Sequence, residues 1–212
     1  MEQKEFDKIL NSVPANYYQK GTRTNLLQRY WHKTKINFAL KLLSDLSFKN
    51  CLEVGSASGY LISEIAKEHP GVNFEAIDAY SKAIEFAKKH YPKINFSVAE
   101  AEKLPFKNNQ FDVILCYETI EHIRDPQKAV LEMKRVLKKD GKLILAMDSG
   151  SLAFRVIWFL WEKSYGKVWQ EAHLNPYHYS DLEKLVSKSG LKIVKRYFTH
   201  FGLEVVLVLE KV

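Results

Sequence analysis

The sequence predicts an α/β fold with a doubly wound, mostly parallel sheet, and three observations support this prediction. Strand-like apolar runs alternate with helical segments over residues 51–147, which is the βαβα order of a parallel sheet. The first run, Cys51 to Val54, stops at a glycine, which places bare backbone at the carboxyl edge of the sheet. Two more β-rich runs near the C-terminus are joined only by a short turn, so we expect an antiparallel hairpin there.

The predicted elements follow one another without a linker or an internal repeat. Strands are predicted at 51–54, 72–77, 94–98, 111–117 and 142–147. Helices are predicted near 59–69, 81–90 and 126–138. Ser81 and Asp125-Pro126 are suitable helix starts, because Pro is well accommodated at a first helical position. A further helix is expected from Ser180 to Gly190, which closes it. The hairpin strands are predicted at 191–197 and 203–209.

Composition favours a single domain over residues 1–212, because 46% hydrophobic residues suffice for a full core. Within it we expect an N-terminal helical cap at 1–47 and an aromatic-rich insert or lid at 149–179. No apolar run approaches the ~20 residues that a membrane span needs, and the first residues lack a signal-peptide pattern. Cys51 and Cys116 lie in apolar strands without CxxC spacing, so we expect reduced core thiols and a cytoplasmic location.

The loop after the first strand predicts a nucleoside site. It reads Gly55-Ser56-Ala57-Ser58-Gly59, and Ala57 stands where a dinucleotide motif has its second glycine. A pyrophosphate cradle is therefore disfavoured. Asp78 lies nineteen residues after Gly59 at the end of the next strand, where a carboxylate can accept both hydroxyls of a ribose. These features favour an adenosine ligand without phosphates.

The same loop resembles motif I of the class I S-adenosylmethionine-dependent methyltransferases, with Glu53, Gly55 and Gly59 kept and Ala57 in place of the middle glycine. Three further blocks are similar to the family in order and spacing, at 97–106, 110–115 and 136–144. The resemblance covers about residues 35–150. It implies a Rossmann-like seven-stranded sheet, methyltransferase activity and S-adenosylmethionine as cofactor. The implied cofactor-binding residues are Glu53, Gly55, Ser56, Gly59, Asp78, Ala79, Glu100, Ala101 and Tyr117.

A Glu-x-x-Glu-His pattern follows the fourth strand as Glu118, Glu121 and His122. If the chain is helical there, the three side chains share one face and suit Mg²⁺ or Mn²⁺, or a base with its orienting acid. The pattern resembles the ubiquinone-biosynthesis O-methyltransferases and the small-RNA 2′-O-methyltransferases, which use it to hold a metal. Both supply a further His, for which His173 is the candidate here and His178 its competitor. A metal site, catalysis with His122 or His173 as base, and a structural Glu–His corner remain open alternatives.

Residues 152–161 form an apolar, aromatic block that is interrupted only by Arg155. Ten residues cannot span a bilayer, so the block is a buried helix, a lid over an apolar substrate, or an interfacial membrane contact. The net charge of +7 is concentrated in the first fifty residues and would assist such a contact. Residues 17–21 and 26–31 are expected to fold over the cofactor.

These features predict O-methylation of an apolar, aromatic or isoprenoid small molecule. The alternatives are an RNA 2′-O-methyltransferase, a metal-independent small-molecule N- or C-methyltransferase, and a catalytically silent cofactor-binding subunit. Nucleic acid is disfavoured as a partner, because the aromatic block lacks interleaved Arg and Lys. We expect a monomer or homodimer, with weak peripheral contact at the inner membrane face as a further expectation.

Overall fold

The computed structural model of the protein describes residues 12–163 and 178–212. The strands in these ranges are β1 (Asn50–Val54), β2 (Asn73–Asp78), β3 (Asn95–Val98), β4 (Phe111–Tyr117), β5 (Leu137–Asp148), β6 (Leu191–Thr199) and β7 (Glu204–Lys211). The α-helices are α1 (Tyr17–Thr24), α2 (Leu26–Leu43), α3 (Tyr60–Glu68), α4 (Ser81–His90), α5 (Pro126–Val136), α6 (Leu152–Glu162) and α7 (Tyr179–Lys188). Two single 3₁₀ turns occupy Ile120–His122 and His200–Gly202.

The seven strands form one sheet in the order β3-β2-β1-β4-β5-β7-β6. The pairs from β3 to β5 are parallel, whereas β7 pairs antiparallel with both β5 and β6. The predicted doubly wound sheet with a C-terminal hairpin is therefore confirmed. The strand order reverses between β1 and β4, and in open α/β sheets the crevice at the carboxyl ends of such strands is where ligands bind.

Helices cover both faces of the sheet, because alternate residues of each strand point to opposite sides. On β1, Leu52 packs in a cluster with Met133 of α5 and Leu182 of α7. Its neighbour Cys51 packs on the other face with Ile62 of α3 and Leu43 of α2. This double cover fixes the ends of β1 and β4, from which the loops of the site emerge.

The ends of two helices differ from the predicted ones, whereas the two cysteines are as predicted. The last helix is capped by His178 rather than by the predicted Ser180, because the backbone N–H of His178 donates to Asp181 while its ring accepts from the Ser180 N–H. The helix predicted at 126–138 ends at Val136, and the chain continues directly into β5. Cys51 and Cys116 are free and buried, as expected. Within residues 12–163 and 178–212, no helix has the length and hydrophobicity needed to cross a membrane.

Candidate functional site

The loop after β1 depends on two glycines with left-handed backbones. Gly55 has a φ of +78°, and a Cβ added to it would lie 2.1 Å from Oγ1 of Thr119. Gly59 has a φ of +74° and precedes α3; a Cβ there would lie 2.6 Å from the Phe96 ring. The backbone N–H groups of Gly55 and Ser56 both donate to the carbonyl of Ile77 at 2.9 Å. The loop is thus held against the end of β2.

Asp78, at the end of β2, organises the same loop. Its Oδ2 accepts the backbone N–H of Ala57 at 2.7 Å, and its Oδ1 accepts that of Tyr80 at 2.8 Å. Burial raises the pKa of the Asp78 carboxyl, and these two hydrogen bonds oppose that rise. Ala57 has a φ of +44°, so the residue that replaces the family's middle glycine adopts a glycine-like backbone.

A first cavity of about 190 Å³ lies at the carboxyl edge of the sheet beside this loop. Five of the nine predicted cofactor-binding residues line it: Gly55, Asp78, Ala79, Glu100 and Ala101. The other four lie outside its lining: Glu53, Ser56, Gly59 and Tyr117. The cofactor-binding role of all nine stays a prediction. From the N-terminal segment, Val13 and Tyr18 line the cavity, and the expectation that residues 17–21 and 26–31 fold over a cofactor stays a prediction. Tyr80 and Arg124 also line it and were not foreseen from the sequence.

Glu53 is a buried carboxyl at the end of β1, only 3% exposed. Among the described residues its Oε2 has no hydrogen-bond partner. Burial raises the pKa of Glu53 to about 8, so the side chain is mostly neutral near neutral pH. A cationic group brought close to it would favour its ionised form.

A second cavity, of about 310 Å³, adjoins the first. Tyr18, Glu118 and His122 line both cavities and therefore stand between them. The remaining wall is mainly aromatic and apolar: Tyr17, Leu27, Tyr30, Trp31, Phe154, Ile157, Trp158, Phe201 and Leu203. The aromatic block thus contributes a wall of this cavity through α6.

The Glu-x-x-Glu-His segment is not an α-helix, so the expected helical face is wrong. Glu118 has a left-handed φ of +46°, and the chain then makes the short 3₁₀ turn Ile120–His122. Even so, Glu118, Glu121 and His122 all line the second cavity. They converge because the chain turns sharply at the end of β4.

Glu118 is held by two side chains of α2. Its Oε1 accepts the indole N–H of Trp31 at 2.5 Å, and its Oε2 forms an ion pair with Lys35, which is itself buried. Although burial alone would raise the pKa of Glu118, the charges of Lys35 and then His32 lower it to about 2. Glu118 is therefore an ionised anchor between α2 and the sheet.

These residues do not fit the predicted Mg²⁺ or Mn²⁺ site. No group of three His, Cys, Asp or Glu side chains within 12–163 and 178–212 has an arrangement that could hold a metal ion. Both oxygens of Glu118 are already engaged, so a cation bound there would have to compete with the Lys35 ammonium. The fourth predicted ligand, His173, lies outside the described residues, and the competing His178 caps α7.

Glu121 and Asp148 place two more carboxyl groups on the wall of the second cavity. Glu121 is 4% exposed, and neither of its oxygens has a hydrogen-bond partner in the described part of the chain. Burial raises the pKa of Glu121 to about 8. Burial and then the charge of Glu121 raise the pKa of Asp148 as well. Asp148 ends β5 as Asp78 ends β2, and that position in the sequence was a usable signal that we missed.

His200, in the turn between β6 and β7, supports the aromatic wall and was also missed. Its ring stacks on Trp31 with centroids 3.9 Å apart, and its Nε2 lies 2.9 Å from the Trp31 carbonyl oxygen. Its Nδ1 lies 3.1 Å from the buried Glu204 carboxylate. Burial lowers the pKa of His200, but the hydrogen bond and charge of Glu204 raise it overall. Trp31 is therefore fixed from both the Glu118 and the His200 side.

Comparison with known proteins finds similar sequences and similar folds. Residues 52–145 match a sequence-family profile described as a methyltransferase domain. The chain is 29% identical over 153 residues to a ubiquinone biosynthesis O-methyltransferase of Rickettsia typhi, covering 68% of this chain and 59% of that relative's length. It is 26% identical to a demethylmenaquinone methyltransferase of Chlamydia pneumoniae, with 96% of this chain and 95% of the relative covered.

Solved structures show the same architecture at lower identity. A Pyrococcus horikoshii protein superposes with a TM-score of 0.71 at 18% identity, covering 89% of this chain and 93% of its own. An S-adenosylmethionine-dependent methyltransferase from Aquifex aeolicus gives a TM-score of 0.62 at 17% identity, with 80% and 87% covered. The profile match, the relatives and the strand order agree with the sequence motifs. Residues 52–145 of this chain are thus similar to a methyltransferase domain, and the strand order of the sheet agrees with that similarity.

Proposed function

We propose that this protein transfers a methyl group from S-adenosylmethionine to a hydroxyl of an apolar, ring-containing small molecule. One observation carries the proposal: the cavity beside Asp78 and the apolar cavity share Tyr18, Glu118 and His122 as lining residues. A donor in the first cavity and an acceptor in the second would meet across these three residues. Such positioning is the main requirement of an in-line displacement at a methyl group.

The residues of the first cavity suit the nucleoside part of the donor. Asp78 can accept hydrogen bonds from the ribose hydroxyls, while Glu100 and Ala101 lie where the family reads the adenine edge. Glu53 lies beneath the loop, where it can orient the loop or meet the donor's amino group. When bound, S-adenosylmethionine supplies an electrophilic sulfonium methyl group.

The second cavity suits an acceptor with a large apolar surface and one polar end. Aromatic side chains would exclude water, and the buried carboxyl of Glu121, which has no hydrogen-bond partner among residues 12–163 and 178–212, can bind a hydroxyl. His122 lines both cavities, so it is our candidate for the base that takes the hydroxyl proton. The names of two relatives refer to ubiquinone biosynthesis and to demethylmenaquinone, which supports a quinone-type ring as acceptor.

The test is transfer of a radiolabelled methyl group to quinol, phenol and lipid extracts, with mass spectrometry of the product. We expect label in an apolar hydroxylated compound. His122→Asn should lower kcat while S-adenosylhomocysteine still binds, because His122 acts on the acceptor proton. Label found only in RNA, or an unchanged kcat in His122→Asn, would contradict the assignment.

A further inference from the structure

Exposed apolar side chains surround the second cavity. Leu26, Leu27 and Tyr30 of α2 are 76%, 68% and 46% exposed, Ile157 of α6 is 51% exposed, and Phe201 is 93% exposed. We call these five residues the apolar rim. All but Leu26 also line the cavity, although they come from three distant segments of the chain. The rim therefore frames the cavity with side chains that would favour an apolar environment over water.

Phe201 is the most exposed of them and has an unusual backbone. Its φ is +58°, a left-handed conformation that is unfavourable for a bulky side chain. Its ring stacks on Tyr30 with centroids 6.3 Å apart and planes within 15°. The turn between β6 and β7 thus holds an aromatic ring outward, beside the start of α2.

The helix α6 also has exposed apolar residues outside the rim. Leu152, Val156, Phe159 and Leu160 are 77%, 53%, 54% and 61% exposed, and their spacing puts them on one side of the helix. The ammonium of Lys163 lies 4.1 Å from the centre of the Phe159 ring. This arrangement of an apolar face with a flanking cation is typical of a helix at a lipid interface.

Basic residues predominate in the N-terminal segment that carries most of the rim. The segment from Tyr17 to Leu43 has no Asp or Glu. Besides Lys35, which is buried in its ion pair with Glu118, it carries five basic residues: Lys20, Arg23, Arg29, Lys33 and Lys41. Arg23, Lys33 and Arg155 are exposed, and the only acidic residue of α6 is Glu162. Because anionic lipids attract basic residues near a membrane surface, this charge distribution complements a bilayer that contains them.

We propose that the apolar rim docks on the surface of an anionic lipid bilayer. The rim would enter the acyl boundary and the flanking Arg and Lys side chains would contact lipid phosphates. As a consequence, an apolar acceptor could pass from the bilayer into the second cavity without crossing water. This last step rests on the proposed function, whereas bilayer binding does not require that methyl transfer occurs.

The test is flotation of the full chain with phosphatidylcholine vesicles, with and without phosphatidylglycerol, at low and high salt. We expect binding to the anionic vesicles that falls steeply with salt, because exposed charges are screened. Leu26→Ser and Phe201→Ser should each weaken binding about tenfold, since each removes a large apolar side chain from the lipid. Leu131→Ser is the matched control, because Leu131 is 46% exposed on α5, outside the rim.

Calorimetry with S-adenosylhomocysteine on the same variants separates the two proposals. Loss of vesicle binding with intact ligand binding, in both rim variants, would support the docking surface. Flotation that does not depend on the rim, or no flotation of the wild-type chain, would overturn it. An intact vesicle interaction without methyl transfer would instead contradict the proposed function alone.

Discussion

Replacing Asp78 by Asn removes the negative charge at the end of β2, beside the loop after β1, with little change in side-chain volume. The carboxylate accepts two backbone N–H groups, from Ala57 at 2.7 Å and from Tyr80 at 2.8 Å. An amide has one acceptor oxygen, so its NH₂ group would face one of these N–H donors. The variant therefore loses a hydrogen bond within the loop and the charged acceptor that we assign to the ribose.

The size of the effect follows from the strength of hydrogen bonds to charged groups, about 1.5–3 kcal/mol each. One such bond to the ribose, with the cost of a loosened loop, gives an expected loss of roughly 2–3 kcal/mol in binding free energy. That loss corresponds to roughly 30- to 150-fold weaker binding of S-adenosylhomocysteine. Isothermal titration calorimetry measures it directly.

Asp112→Asn provides the matched control. Asp112 also accepts two backbone N–H groups, those of Lys49 and Asn50, and forms an ion pair with Lys138. It lies at the start of β4, at the opposite edge of the sheet from Asp78. Asp112→Asn should lower thermal stability and leave ligand affinity unchanged. Equal affinity of Asp78→Asn and the wild type, or equal losses in both variants, would refute the reasoning.

Three further predictions concern the residues around the two cavities. Ala57→Gly should raise the free energy of unfolding by about 0.5–1 kcal/mol in chemical denaturation, because the φ of +44° is strained for Ala; a destabilised variant would count against strain there. Lys35→Met should lower the free energy of unfolding by about 3–5 kcal/mol, because it leaves Glu118 buried and unpaired. Lys35→Met combined with Glu118→Gln should recover most of this loss. A double variant as unstable as the single one would argue against the ion pair as the cause. The pKa of Glu53 is raised from 4.5 to about 8 on folding, so its contribution to stability is complete below the unfolded pKa and is lost as pH rises through the folded pKa. On the order of 5 kcal/mol depends on this group, and Glu53→Gln should flatten the decline between about pH 5 and about pH 8 in urea titrations; an unchanged slope would exclude Glu53 as its source.

The sheet and the position of the first cavity could be predicted from the sequence because their signals are local. Apolar runs with turn residues between them identify the strands, and a parallel sheet brings the ends of β1 and β2 to one edge. Gly55 and Asp78 therefore lie together with no long-range information beyond the fold. The antiparallel hairpin was predictable for the same reason, since only a short turn joins its two strands.

The second cavity could not be predicted in the same way, because it depends on contacts between distant segments. Lys35 meets Glu118 across 83 positions in the sequence, and this ion pair occupies a carboxylate oxygen that the predicted metal site would need. The left-handed backbone of Glu118 also removes the helical spacing on which that ligand set was based. Nothing local in the sequence distinguishes His200 as the neighbour of Trp31, 169 positions earlier.

The most direct test of the two-cavity arrangement is a crystal structure with S-adenosylhomocysteine. We expect the ribose hydroxyls on Asp78 and the sulfur atom facing Tyr18, Glu118 and His122, with the aromatic cavity left open for an acceptor. A ligand bound in the aromatic cavity, or a sulfur atom directed away from those three residues, would contradict the assignment of the donor and acceptor sites.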